Sequence, residues 1–132
     1  MDDRSTRIVP AGARQHKTAG PYSPVMEIDA RRLVVVSGQV AVNDEGEVVG
    51  STIEEQTKYT LDNCRRQLAS AGVDFGHVFK VNVYLSELGE WQRFNEIYEG
   101  AMTKPYPTRT TVQAVLLPGF RVEIEMWAAK PG

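Results

Sequence analysis

The stretch beginning at Thr52-Ile53-Glu54-Glu55 constrains the fold more than any other part of the chain. A threonine followed three residues later by a glutamate is the layout of a capping box, in which each side chain satisfies a backbone amide that the helix leaves open. Behind it, Ile53, Thr57, Leu61, Cys64, Leu68 and Ala71 recur at helical spacing until Gly72 supplies a C-terminal stop. Glu54, Glu55, Lys58, Asp62, Arg65 and Arg66 fill the other positions, so this helix has one stripe to bury and one to wet. An apolar stripe needs another element to cover it, and the rest of the chain offers mainly strands.

Leu33-Val34-Val35-Val36 is a β-branched run ending at Ser37-Gly38-Gln39, and Val40 to Val42 is expected to continue extended as far as the turn Asn43-Asp44-Glu45-Gly46. Val78 to Leu85 alternates, which predicts Phe79, Val81, Val83 and Leu85 on one side. Trp91, Phe94, Ile97, Tyr98 and Ala101 mark a second amphipathic helix that ends before Pro105 and Pro107. In the last two strands, 109–114 and 121–128, alternation sends Val112, Ala114, Val122, Ile124, Met126 and Ala128 to apolar faces. Arg109, Thr111, Gln113, Glu123 and Glu125 take the opposite faces. If Leu116-Leu117-Pro118-Gly119 turns the chain so that these strands pair, Arg109 and Glu123 share one polar sheet face. That face is either solvated, as antiparallel sheets often are, or meets another surface.

The chain has 132 residues, the size of one domain, with no repeat or linker to divide it, so 1–132 reads as a single domain. A domain of this length buries roughly 68% of its unfolded surface, enough for a core without staples. With 15 basic against 17 acidic residues the formal charge is −2, which lacks the footprint of a nucleic-acid binder. No apolar run approaches the roughly 20 residues that span a bilayer. The opening Met1-Asp2-Asp3-Arg4 lacks the layout of an export signal, so the expected location is cytoplasmic. The single cysteine, Cys64, permits no internal disulfide, and His16 and His77 are not spaced as ligands, so no metal is expected.

Five markers then stand in order: Gly20-Pro21-Tyr22-Ser23, Ser37-Gly38-Gln39-Val40, Asn95 with Tyr98, Pro107-Thr108-Arg109-Thr110-Thr111-Val112, and Val122-Glu123-Ile124-Glu125. Together, from the Gly20 loop to Trp127, they make the chain resemble the Rid (YjgF/L-PSP) family of enamine/imine deaminases. The resemblance implies an α+β, chorismate-mutase-like fold: a mixed sheet with two helices on one face, assembled as a homotrimer with pockets between subunits. It also implies no cofactor. Carried over by position, Arg109 grips the substrate carboxylate and Glu123 positions the attacking water. Tyr22, Ser37, Asn95, Thr111 and the Gly38 backbone line the pocket. Many members carry cysteine where this chain has Thr111, so thiol-based redox activity is not expected here.

These residue types suit the implied reaction. The substrates are 2-aminoacrylate-like enamines and imines, hydrolysed to 2-keto acids and ammonium, which requires only positioned water and moved protons. The planar fork of an arginine matches a carboxylate with two bonds, and a desolvated carboxyl group exchanges protons near neutrality. Two rival readings remain on the sequence. A non-catalytic trimer that senses 2-keto acids needs Arg109 but not Glu123. An endoribonuclease is disfavoured by the acidic charge balance and the absence of a Lys/Arg stripe.

Overall fold

The computed structural model describes residues 6–131. Within them the chain runs as strands β1 (Arg7–Ile8), β2 (Glu27–Ile28) and β3 (Arg32–Gln39), helix α1 (Ile53–Ser70), β4 (Val78–Leu85), helix α2 (Trp91–Ala101), β5 (Thr108–Gln113) and β6 (Val122–Lys130). β1 and β2 form a small antiparallel pair, and the other four strands form one mixed sheet in the order β3-β6-β4-β5. β6 is antiparallel to both β3 and β4, whereas β5 runs parallel to β4.

Helix α1 starts as its sequence dictates. Thr52 Oγ1 accepts from the Glu55 amide and Glu55 Oε1 accepts from the Thr52 amide, both at 3.1 Å. Beyond the C-cap at Ala71, Gly72 adopts φ +77°, a left-handed conformation that other residues resist. The stripe Ile53, Leu61, Cys64 and Leu68 is buried against one face of the sheet, where it meets Val36, Val81, Val83, Val122, Ile124 and Met126 together with Phe94 and Tyr98 of α2. Each large apolar side chain fully buried here contributes about 1.5–3 kcal/mol. No described element covers the other sheet face, which carries Leu33 at 59% exposure and Val35 at 61%.

Gln56 locks α1 to the start of β6. Its buried amide nitrogen donates to the carbonyls of Gly50 and Gly119, and its oxygen accepts from the Arg121 amide at 2.8 Å. All three bonds are at least partly shielded from water, so the approach to Glu123, two residues beyond Arg121, is fixed by a fully satisfied polar group.

Four expectations need correcting. β5 and β6 do not pair, because β4 lies between them. As a result Val112 sits on the uncovered face, 42% exposed, while Arg109 and Thr111 turn toward the helices. In β4, Val78 rather than Phe79 joins Val81, Val83 and Leu85 in the core, since the register with β6 shifts between Val78 and Lys80 and inverts the alternation. β3 ends at Gln39, and Val42 makes only an isolated bridge to Val48.

Candidate functional site

Arg109 stands on an edge strand, and its row decides where it points. It is level with Val81 of β4, a core residue, so it projects toward the helices. There its guanidinium carbon lies 4.9 Å from the ring centre of Tyr98, 5.4 Å from that of Tyr22 and 5.6 Å from that of Phe94. Burial pushes its pKa down, opposed by the hydroxyls of Tyr98 and Tyr22, but an arginine remains a cation throughout the working range. Its Nη1 is buried and has no hydrogen-bond partner among the described residues. A buried donor left open costs about 1–3 kcal/mol, more when charged, so this nitrogen favours any acceptor that reaches it.

The same neighbourhood holds other open polar atoms. Thr111 Oγ1, one row along the same strand face, and Asn95 Oδ1 and Tyr98 OH on α2 are also buried without partners. Tyr22, Trp91, Arg109, Thr110 and Thr111 line a concavity of about 240 Å³. Larger hollows occur, such as one of about 420 Å³ between β3 and the end of α1, but it is not lined by a buried cation.

The Tyr22 loop is tied to β5. The Ser23 amide donates to Pro107 O at 3.2 Å, Ser23 Oγ to Tyr106 O at 2.5 Å, and Ser23 bridges to Thr108. Gly20 keeps this corner close, because a Cβ would stand 3.2 Å from the Trp91 ring and 3.3 Å from that of Tyr22, tight enough that the rings would have to shift.

Glu123 belongs to a second group. It is level with Tyr84 and therefore lies on the uncovered face, beside Glu125, which accepts from Tyr84 OH at 2.5 Å and from Asn82 Nδ2 at 3.2 Å. Ser37 and Gly38 fall within the irregular pairing of β3 with β6 and are exposed. Such bulges re-aim side chains near sites. The Glu123 carboxylate packs against Gly38 so closely that no Cβ fits between them.

The seven residues expected to form one pocket therefore fall into two sets. Tyr22, Arg109 and Thr111 line the hollow near the β5 edge, with Asn95 on the neighbouring α2; Glu123 packs on Gly38 of β3, and Ser37, next to Gly38, lines the hollow between β3 and the end of α1. The expectation that Arg109 and Glu123 share a sheet face is wrong within one chain. They are two strands apart and three rows apart, roughly 10 Å in each direction, and on opposite faces. The sequence marks Tyr98 beside Asn95 but assigns Phe94 only to the apolar stripe of α2; its ring nevertheless faces Arg109.

Among the described residues no three His, Cys, Asp or Glu side chains gather as metal ligands, and no helix is long and apolar enough to cross a membrane. Cys64 is buried and its thiol is pushed up to about 12 by desolvation, which makes it a poor nucleophile.

A family described as Endoribonuclease L-PSP matches residues 13–130. The 2-iminobutanoate/2-iminopropanoate deaminase of Homo sapiens is 34% identical over 121 residues, covering 90% of this chain and 87% of that one. Among solved structures, a putative endoribonuclease from Thermotoga maritima superposes with a TM-score of 0.72 at 35% identity, covering 88% of this chain and 91% of that one. TdcF of E. coli with bound serine superposes with a TM-score of 0.69 at 30% identity, covering 79% and 85%.

Proposed function

The chain belongs to the Rid (YjgF/L-PSP) family, and from that premise we propose that it hydrolyses short 2-enamino and 2-imino acids to 2-keto acids and ammonium, in pockets formed between copies of a homotrimer. The observation that carries this reading is the partly buried guanidinium of Arg109, whose Nη1 is fully buried and open beside a small concavity. A site of this kind suits a small carboxylate, and serine, bound to the related TdcF, is one.

Arg109 holds the substrate carboxylate and fixes C2 at the mouth of the concavity, with Tyr22 and Trp91 as walls and Asn95 and Thr111 offering polar atoms. The enamine takes a proton at its terminal carbon and becomes an imine. Water then adds to C2, its proton passing to a carboxylate that returns it to the amino nitrogen, and the carbinolamine expels ammonia as the C–N bond breaks and the hydroxyl gives up its proton to form the C=O bond. Ammonia leaves as ammonium. Glu123 is the carboxylate assigned to the water, and it reaches the substrate from a neighbouring copy. The separation of Arg109 and Glu123 within one chain, together with the uncovered sheet face that carries Glu123, supports this division of labour. Proton transfer by such a group is worth roughly a hundred- to ten-thousand-fold in rate.

The test couples a serine/threonine dehydratase to semicarbazide trapping. The protein should lower semicarbazone yield and speed keto-acid release, and Arg109→Ala should abolish both effects. No effect with serine, threonine or other precursor amino acids would overturn the deaminase reading. A sensing trimer, by contrast, would bind 2-keto acids without turnover and tolerate Glu123→Gln.

A further inference from the structure

We infer that Phe94 and Tyr98 are positioning residues for Arg109: their rings replace the carboxylate that a buried arginine usually requires. This rests on the reading of Arg109 as the carboxylate-binding group and adds what holds it in place.

A guanidinium taken out of water needs compensation, which most often comes from an acidic partner. No acidic residue pairs with Arg109 among the described residues. Aromatic faces surround it instead, with Tyr98 nearest at 4.9 Å and Phe94 at 5.6 Å, both within the reach of cation–π attraction. These two rings are fully buried and pack on each other with centroids 5.5 Å apart, tilted by 31°. Because they sit four residues apart on α2, they form one rigid floor. A carboxylate in their place would occupy the N–H edge of the fork and compete with the substrate. Ring faces attract the cation and leave that edge free, which agrees with the open Nη1.

The test begins on the unaltered protein. In NMR of the arginine Nε–Hε groups, the signal that Arg109→Lys removes should be shifted upfield by ring currents, as should that of Arg65, which stacks on Phe75 at 4.7 Å. If the Arg109 signal lies among those of exposed arginines, the floor does not exist. Pyruvate titration then measures the consequence. Tyr98→Leu should weaken pyruvate binding and raise KM about tenfold with kcat changed less than twofold, whereas Tyr98→Phe, which keeps the ring, should restore both. Phe94→Leu serves as the second probe if Tyr98→Leu does not fold, and should raise KM in the same way. A purely structural role would lower the melting temperature yet leave the affinity of the folded fraction unchanged, and that result would overturn the inference. If the unaltered protein shows the shifted signal but binds no pyruvate, the carboxylate-binding reading fails and the inferred role falls with it, although the aromatic floor itself stands.

Discussion

The carboxylate of Glu123 folds over the α-carbon of Gly38, occupying the space that any Cβ at position 38 would need. Gly38 is not in the left-handed region, so what it supplies is room rather than an unusual backbone angle. Gly38→Ala is therefore expected to leave the fold intact and displace the carboxylate. Activity should fall at least tenfold while the melting temperature shifts by only a few degrees. Unchanged turnover would mean that the position of Glu123 does not matter to the reaction.

Arg109→Lys keeps the positive charge but loses the planar fork. The missing bidentate contact corresponds to about 1.5–3 kcal/mol, or roughly a ten- to hundredfold weaker grip on a 2-keto acid. Calorimetric titration with pyruvate reads this directly, and equal affinity in the two proteins would show that charge alone suffices.

How much of this was legible in the sequence can be seen residue by residue. The Thr52–Glu55 box and Gly72 gave both ends of α1 because capping is local: the donors, acceptors and the left-handed turn lie within a few residues of one another. The face of Arg109 was not legible. Alternation along β5 shows which residues share a side, but not which side is the core, and on this edge strand the polar side faces inward to line a hollow. Strand order was hidden for a related reason. Nothing in the residues between β5 and β6 reveals that β4 is inserted between them, since that depends on pairing across distant segments. Tyr98 stands out in the sequence as a marker beside Asn95, but that its ring faces Arg109 depends on how α2 packs over β5, which no local pattern shows.

Cys64 should behave as a buried, inert thiol. Its pKa is raised from 9.0 to about 12, so the folded state holds the proton more tightly than the unfolded chain. The associated stability is fully present below pH 9 and is lost as pH rises toward 12. At pH 8 a thiol reagent such as Ellman's should find no reactive group in the native protein and one after unfolding. Rapid labelling of the native state would contradict the packing described.

Thr52→Ala removes one half of the capping box and leaves the Glu55 amide open at the start of α1. The expected loss is about 1 kcal/mol in chemical denaturation, with activity retained at saturating substrate. A change within experimental error would mean that water replaces the cap without cost.

The central claim is that Arg109 and Glu123 act together from different copies, and mixing two disabled variants tests it most directly. Arg109→Ala and Glu123→Gln should each be nearly inactive alone. Unfolded together and refolded as mixed oligomers, they should regain about one quarter of normal activity, the share of interfaces that pair an intact arginine with an intact glutamate under random assembly. Mixed oligomers that form, as shown by mass spectrometry, but remain inactive would contradict the shared site.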